Sequence, residues 1–439
     1  SDVCSSDLFM NIISNKIDEL KEDLLSDIID IVKIPSVKGE SENGFPFGEK
    51  VGEALNKALE ISEKLGFKVR NLDNYIGYAE HGDSDDYVCV IGHVDVVPAN
   101  EEGWITPPFK MDIREGKLYG RGVLDNKGPI ISCLYALKVV KDLNIPLSKR
   151  VRIIFGSNEE TGFKDIPYYL NNEEPPISGF TPDCKFPAVY GERGILDVTI
   201  CSKKLSDPNI KSINGEFRSN VVPDFIQVDF KDGKSITNRG KTAPGNAPES
   251  GVNAITSLCK NLRDETSLCK EEREFLNFIY NVFHKNHDLS KIGIECKDEI
   301  SGSLVTNPYS LKIEDGMLKL SVVFRYPMSY SYKSIMEIIS VLSEYSIMEN
   351  RRMDSVFFDK NAQMLKVMKD AYEEVTGEDG TPVTTTGGTY AKVMPNIVAF
   401  GPSFPGQKGI AHNSNEYMII EDLINITRIY VRAIIGLAN

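Results

Sequence analysis

The sequence predicts an α/β protein interrupted by an inserted α+β unit, and three observations carry that prediction. Two short apolar runs, Tyr87–Gly92 and Val151–Gly156, have the unbroken hydrophobicity of strands buried on both faces. Amphipathic and apolar helical patterns alternate with these runs, the arrangement of a sheet covered by helices. From about Ile195 to Ser346 the pattern changes to polar turns and alternating strands, which reads as a separate unit.

Along the chain, residues Ser1–Leu8 resemble the translation of a sequencing adapter, and the natural start is expected at Met10. Ile17, Leu20, Leu24, Ile28, Ile31 and Val32 recur at helical spacing, and Pro35 closes that helix. A second helix is expected from about Glu49 to Leu65, stopped by Gly66. The strand Tyr87–Gly92 follows, then a helix from Lys127 to Leu143 that is apolar on most faces, then the strand Val151–Gly156. In the middle unit, strands are expected at Val221–Phe230 and Leu318–Tyr326, and helices near 251–263 and 271–285. A last strand–helix portion from about Ser355 should rejoin the α/β core. The expected division is therefore 10–194, then an insert at 195–354, then 355–439.

The chain has 439 residues, 41% of them hydrophobic and 26% charged, which excludes disorder, collagen and coiled coil and allows two or three domains. Fifty Lys and Arg against 64 Asp and Glu leave a formal charge of −14, the wrong sign for a nucleic-acid binder. No apolar run approaches the ~18 residues needed to span a membrane. The eight cysteines form no C-x-x-C pair, which points to buried thiols in a reducing compartment, and the cytoplasm is the expected location. Only five histidines are present, at 81, 93, 284, 287 and 412, so any imidazole chemistry draws on a short set.

The first buried strand runs into Gly92-His93-Val94-Asp95, at the strand end where ligands gather in α/β sheets. Residues i and i+2 of an extended segment point the same way, so Asp95 could accept the second ring N–H of a metal-bound His93. A capped strand end with a structural histidine is the other reading of the pair, and the pair alone does not displace it. The second strand runs into Asn158-Glu159-Glu160, where adjacent carboxylates repel unless a cation neutralises them, or form a solvated acidic turn. Asp125, in Gly120-Arg121-Gly122-Val123-Leu124-Asp125, is either a ligand or a helix N-cap. Asp183 lies in a Pro-rich segment and His412 near the C-terminus.

Taken together, the stretches GHVDVVP, GRGVLDNKG, SNEETG, GFTPDCKFP, FRSNVVPD, FRYP, TTTGGTYAK and FGPSFPGQ…AHNSNE resemble the dinuclear zinc metallopeptidases of the aminoacylase and carnosinase type, most of all the bacterial Xaa-dipeptidases. The resemblance implies a zinc-peptidase-like catalytic domain carrying an inserted lid. It implies His93, Asp125, Glu160, Asp183 and His412 as ligands, with Asp125 bridging two ions, Asp95 orienting His93, and Glu159 as general base. Zinc is the expected metal, with manganese and cobalt as alternatives. Three ligand carboxylates against two dications leave a surplus of one positive charge, which favours hydroxide between the ions. Arg325 would hold the substrate's carboxylate, with Asn220, Gly387, Gly388 and Thr389 as further substrate contacts. The expected activity is hydrolysis of dipeptides with a free N-terminus, by a monomer whose partner is a small peptide and neither nucleic acid nor membrane. An N-acyl amino-acid deacylase is the alternative within enzymes.

One position breaks the pattern. The family's lid segment reads G-x-x-A-H-x-x-x-P-x-x-G-x-N-A, and in Gly240–Ala254 every named position matches except the histidine, which is Pro244. In the family that imidazole stabilises the tetrahedral oxyanion, and proline has neither a side-chain donor nor a backbone N–H. Three explanations stand open: an error in the sequence, replacement by a donor such as Asn246 or Lys241, or a metal-binding homologue with little peptidase activity.

Overall fold

The computed structural model describes residues 2–263, 265–342 and 344–439, and side chains from Leu8 onward. The leading stretch singled out in the sequence therefore lies mostly outside the described side chains. The chain divides into two compact units: Ser1–Tyr190 with Phe358–Val383 and Thr389–Asn439, and Gly191–Phe357 with Thr384–Gly388.

In the first unit, strands β1 (Lys68–Leu72), β2 (Ile76–His81), β3 (Tyr87–His93), β4 (Arg150–Gly156), β5 (Ser178–Thr181) and β6 (Ile397–Ala399) form a mixed sheet. Their spatial order is β1-β2-β4-β3-β5-β6. The β4-β3-β5-β6 portion is parallel, while β1 and β2 are antiparallel to their neighbours. Every residue of β3 is buried, as expected of a strand covered on both faces. The helices are α1 (Asp2–Val32), α2 (Glu49–Lys64), α3 (Lys127–Asp142), α4 (Asp165–Asn172), α5 (Gln363–Thr376) and α6 (Ile420–Leu437). Helix α2 ends where Gly66 takes a φ of 82°, the left-handed conformation that a glycine adopts without strain. The core of this unit draws on α1 (Ile17, Leu24, Ile28), α3 (Ile130, Leu134, Leu137) and α6 (Ile426, Ile429, Ile434) against strand residues such as Val88, Val90 and Ile153.

The second unit holds an antiparallel sheet in the order Val305–Glu314, Met317–Tyr326, Gly194–Cys201, Ser346–Met353, and a three-stranded sheet formed by Ile210–Asn214, Phe225–Phe230 and Ser235–Arg239. Asp315-Gly316, both at positive φ, make the two-residue turn between the first two strands. Its helices are Ala254–Asn261, Lys270–Phe283 and Tyr332–Leu342, and it has its own core around Leu258, Phe275, Ile279 and Phe324.

Three expectations are corrected. The strand expected from Val221 begins only at Phe225: Pro223 has no N–H to give a ladder, and Val221 makes an isolated bridge to Pro244 instead. The helix expected to reach 285 ends at Phe283, with His284 at its C-cap in extended conformation. Residues 384–388 group with the second unit, where the Arg193 amide donates to the Thr385 carbonyl at 3.3 Å. Among the described residues, no helix is long and apolar enough to cross a membrane, and seven cysteines are free thiols.

Candidate metal centre

Three adjacent parallel strands deliver the site. His93, the last residue of β3, lies opposite Gly156, the last residue of β4, and Val90 lies opposite Phe180 of β5. All three strands therefore end at one edge, where Glu159, Glu160 and Asp183 follow within a few residues, as the strand-end rule for α/β sheets anticipates. Asp125 precedes α3, whose N-cap is Asn126. The buried Asn126 ties the strand ends together, since its Oδ1 accepts the His93 amide at 3.2 Å and its Nδ2 donates to the Pro182 carbonyl at 2.5 Å. His412 sits at a φ of 62° on the stretch between β6 and α6.

These loops bring the five expected ligands together. His93 Nε2 lies 3.0 Å from Asp125 Oδ1 and 3.6 Å from Asp183 Oδ2. His412 Nε2 lies 2.9 Å from Asp125 Oδ2 and 3.0 Å from Glu160 Oε1. Each oxygen of Asp125 thus faces a different imidazole, and its carboxylate does not cap α3, which has no side-chain cap bond at Asn126. Glu159 lies within the same cluster, with ligand atoms of His93, Glu159 and Asp183 all within 4.8 Å of one another.

Asp95 lies on the expected side of the strand, beside His93. The His93 Nδ1 is 2.9 Å from the backbone carbonyl of Asp95 and 3.5 Å from its carboxylate. That carboxylate also accepts the backbone amides of Glu159 (3.2 Å) and Glu160 (3.1 Å). The amides of the loop after β4 thus share the acceptor with the imidazole, a partnership that strand alternation alone does not reveal.

The donor set fits a pair of divalent cations. Burial works against charge throughout the cluster. It raises Glu159 well above the usual carboxylate range, with Asp183 adding to the effect, and lifts Asp183 to about 7, with Asp125 adding. Burial also opposes charge on the imidazoles, but the surrounding carboxylates overcome it, taking His412 to about 11 and His93 well above its ordinary value. Among the described residues, the ion pairs of Asp125, Glu160 and Asp183 are all to these two histidines. So much buried carboxylate with no lysine or arginine partner is the environment a divalent ion neutralises.

The profile of peptidase family M20/M25/M40 matches residues 89–436, most of the chain. The chain belongs to that family. It is 35% identical over 455 residues to "Putative dipeptidase YtjP" of Bacillus subtilis, covering 95% of this chain and 98% of the relative. Its fold is similar to that of human carnosine dipeptidase 1, with a TM-score of 0.65 at 16% identity over 98% of both chains. It is also similar to the Bacillus subtilis YXEP protein, described as a dinuclear metal-binding peptidase of the M20 family, with a TM-score of 0.57 at 10% identity over 96% of this chain and 99% of that one. The resemblance read from the motifs thus holds, and this M20 peptidase has a catalytic-type α/β domain interrupted by a lid-type α+β insert.

Within the second unit of this M20 peptidase, part of the expected substrate set clusters. Arg325 Nη1 donates to the Thr386 carbonyl at 2.6 Å, and its buried Nε has no partner. Burial, aided by Arg351, lowers that guanidinium to about 10. The Asn246 amide donates to the Thr386 hydroxyl at 3.0 Å, and the carbonyl of the exposed Asn220 accepts the Gly245 amide at 2.7 Å. Gly387 donates its N–H to the Thr385 hydroxyl at 3.3 Å, beside Gly388 in the same loop. Thr389 belongs to the first unit, where its hydroxyl accepts the Ala391 amide at 3.2 Å. Pro244 and Lys241 are exposed, and His284 is spoken for, stacked on Tyr280 and 3.3 Å from the Thr256 hydroxyl.

Sequence reasoning missed two buried acids in the first unit. Asp165 accepts the amides of Ser157 (2.8 Å) and Asn158 (3.1 Å), together with the Tyr390 hydroxyl. With Asp95 it holds four successive amides of the loop bearing Glu159 and Glu160. Glu416 holds the Asp125 loop in the same manner. Glu416 and Arg121 lie in the same motif stretches as His412 and Asp125, AHNSNE and GRGVLDNKG.

Proposed function

We propose that this chain is a metal-dependent dipeptidase acting on dipeptides with a free N-terminus. The observation that carries the reading is Asp125 turning one oxygen to each of His93 and His412, with Asp183, Glu160 and Glu159 beside them. In this reading His93, Asp125 and Asp183 would hold one divalent ion, and Asp125, Glu160 and His412 the other. Bound there, the ions would supply a water acidic enough to ionise near neutral pH and positive charge for the scissile carbonyl. Two imidazoles and three carboxylates suit zinc first, and manganese or cobalt next.

Glu159 takes the proton of the attacking water and returns it to the leaving amine. Its burial supports that role, because a carboxylate with raised proton affinity is the better base near neutral pH. Asp95 aims Glu159 and Glu160 by holding their amides, and orients His93 through its main-chain carbonyl. The guanidinium of Arg325 pairs with the substrate's terminal carboxylate, for which its unpartnered Nε offers a donor. Asn220 and the backbone of Gly387, Gly388 and Thr389 contact the rest of the peptide. The catalytic role is assigned to the first unit and the lid role to the second, so that residues 384–388 go with the lid. With Pro244 unable to donate, the amide of Asn246, hydrogen-bonded into the Arg325 group, is the donor best suited to the carbonyl oxygen. A cytoplasmic monomer remains the assigned state.

The test is hydrolysis of a small dipeptide panel after reconstitution with zinc or manganese, for the chain as it stands, Pro244→His and Glu159→Ala. Turnover of unblocked dipeptides is expected, rising with Pro244→His and lost with Glu159→Ala. Rapid hydrolysis of an N-acetylated dipeptide would move the reading to an N-acyl amino-acid deacylase. Turnover no greater than that of Glu159→Ala in every form would leave a metal-binding homologue.

A further inference from the structure

We propose that Glu416 is a positioning residue that locks the Asp125 loop to the His412 loop, so that the ion held by Asp125, Glu160 and His412 depends on it more than the other ion does. This rests on the dinuclear reading above. The fully buried carboxylate of Glu416 is directed entirely at one loop. Its Oε1 accepts the amides of Gly122 (3.0 Å), Leu124 (3.0 Å) and Asp125 (3.2 Å), and its Oε2 accepts Arg121 Nη1 at 2.5 Å. Its backbone carbonyl accepts the Gly120 amide at 3.1 Å. Directly after it, Tyr417–Ile419 pair antiparallel with Lys117–Tyr119.

His412 lies four residues before this anchor, on an exposed stretch. Of the other side-chain ties just after His412, Asn413 donates within its own stretch to the Gly409 and Ala411 carbonyls (both 3.1 Å), while Ser414 reaches the Glu102 carbonyl (3.2 Å) and Asn415 reaches Gly103 (2.7 Å) and Ile105 (2.8 Å). Glu416 is thus where the two ligand-bearing loops are fastened to each other. The other side of the centre shares only Asp125 with Glu416's bonds and has ties of its own: His93 belongs to β3, and Asn126, beyond the amides that Glu416 accepts, ties it to Pro182, the neighbour of Asp183. Truncating Glu416 would leave three amides without their acceptor and let the backbone of Asp125 drift away from His412. A loose frame around a metal ligand weakens binding by ~10–100-fold.

The experiment is a zinc titration of the full chain against a chromophoric chelator, with zinc content counted after dialysis and melting followed at saturating zinc, for the unsubstituted protein, Glu416→Gln and Glu416→Ala. The unsubstituted protein should hold two ions. Glu416→Gln keeps an oxygen for the three amides and should weaken one of the two ions by about tenfold while leaving the other unchanged. Glu416→Ala should retain close to one ion after dialysis while the tighter ion keeps its affinity. Two ions at unchanged affinity in both variants, with only a lower melting temperature, would overturn the proposal, and so would equal weakening of both ions. Should Glu416→Ala fail to fold, Glu416→Gln decides by the same criterion. Fewer than two ions in the unsubstituted protein would instead sink the dinuclear reading.

Discussion

Metal binding to this centre should release protons, and the hydrogen-bond geometry sets the number. His93 Nδ1 faces the carbonyl oxygen of Asp95 at 2.9 Å, which only accepts, so that nitrogen carries a hydrogen. Its Nε2 faces Asp125 Oδ1 at 3.0 Å. Burial disfavours charge on Asp125, but its two imidazole neighbours outweigh burial and hold it well below the usual carboxylate range, so it too accepts. His93 is therefore doubly protonated. His412 presents Nε2 to Asp125 and Glu160, and despite burial its pKa stands at about 11. Ligation requires each Nε2 to be free of its proton. Binding two divalent ions near pH 7.5 should thus displace about one proton from each imidazole, roughly two in all, with a further fraction from Asp183 and up to about one more from a bound water that ionises. Zinc calorimetry of chelator-treated protein in buffers of different ionisation enthalpy measures this directly, because the slope of observed heat against buffer enthalpy is the proton number. A slope near zero would refute the placement of the ions on these imidazoles. Linkage adds a sign. Both histidines have folded-state values above the unfolded one, so their contribution to stability is complete below about pH 6.5 and lost as pH rises through the folded values. Chelated protein should melt progressively lower above that pH, and zinc-loaded protein should not follow.

Three further outcomes are expected. Glu159→Gln should lower kcat by ~10²–10⁴ with zinc content unchanged, and near-normal kcat in steady-state assays would remove Glu159 from the chemistry. Asp95→Ala removes the acceptor for the Glu159 and Glu160 amides and should cost about 2–4 kcal/mol in denaturant titrations of zinc-loaded protein, whereas Asp95→Asn, which keeps one oxygen, should cost less. Gly179→Ala would set a Cβ 2.0 Å from the Cys89 carbonyl oxygen, forcing β5 away from β3, and should destabilise by roughly 2 kcal/mol or more; an unchanged melting temperature would contradict the strand register.

What was legible in the sequence was whatever depends on residue type at a strand end. β3 and β4 announce themselves because strands buried on both faces admit almost nothing polar until they emerge. The gathering of His93, Asp125, Glu160, Asp183 and His412 was expected from the resemblance of their motifs to a known family, since each residue taken alone also fits a structural role. Roles set by backbone partners were not readable. Asp95, Asp165 and Glu416 are buried acids too, yet each has an oxygen that accepts backbone N–H groups. The amide of any non-proline residue can be such a partner, so no residue type marks the pairing, and for Glu416 the partner loop lies nearly three hundred residues away. Val221 shows the same blind spot in the fold, its apolar alternation continuing through Pro223, where the ladder fails for want of one hydrogen. The two kinds of acid do different physical work. Those filled by amides hold the loops at fixed positions, and the others are left with unspent charge because the loops leave them no amide to accept. A cation would be favoured where the backbone has run out of donors, so the frame of Asp95, Asp165 and Glu416 would set where an ion could sit as much as the cluster itself does.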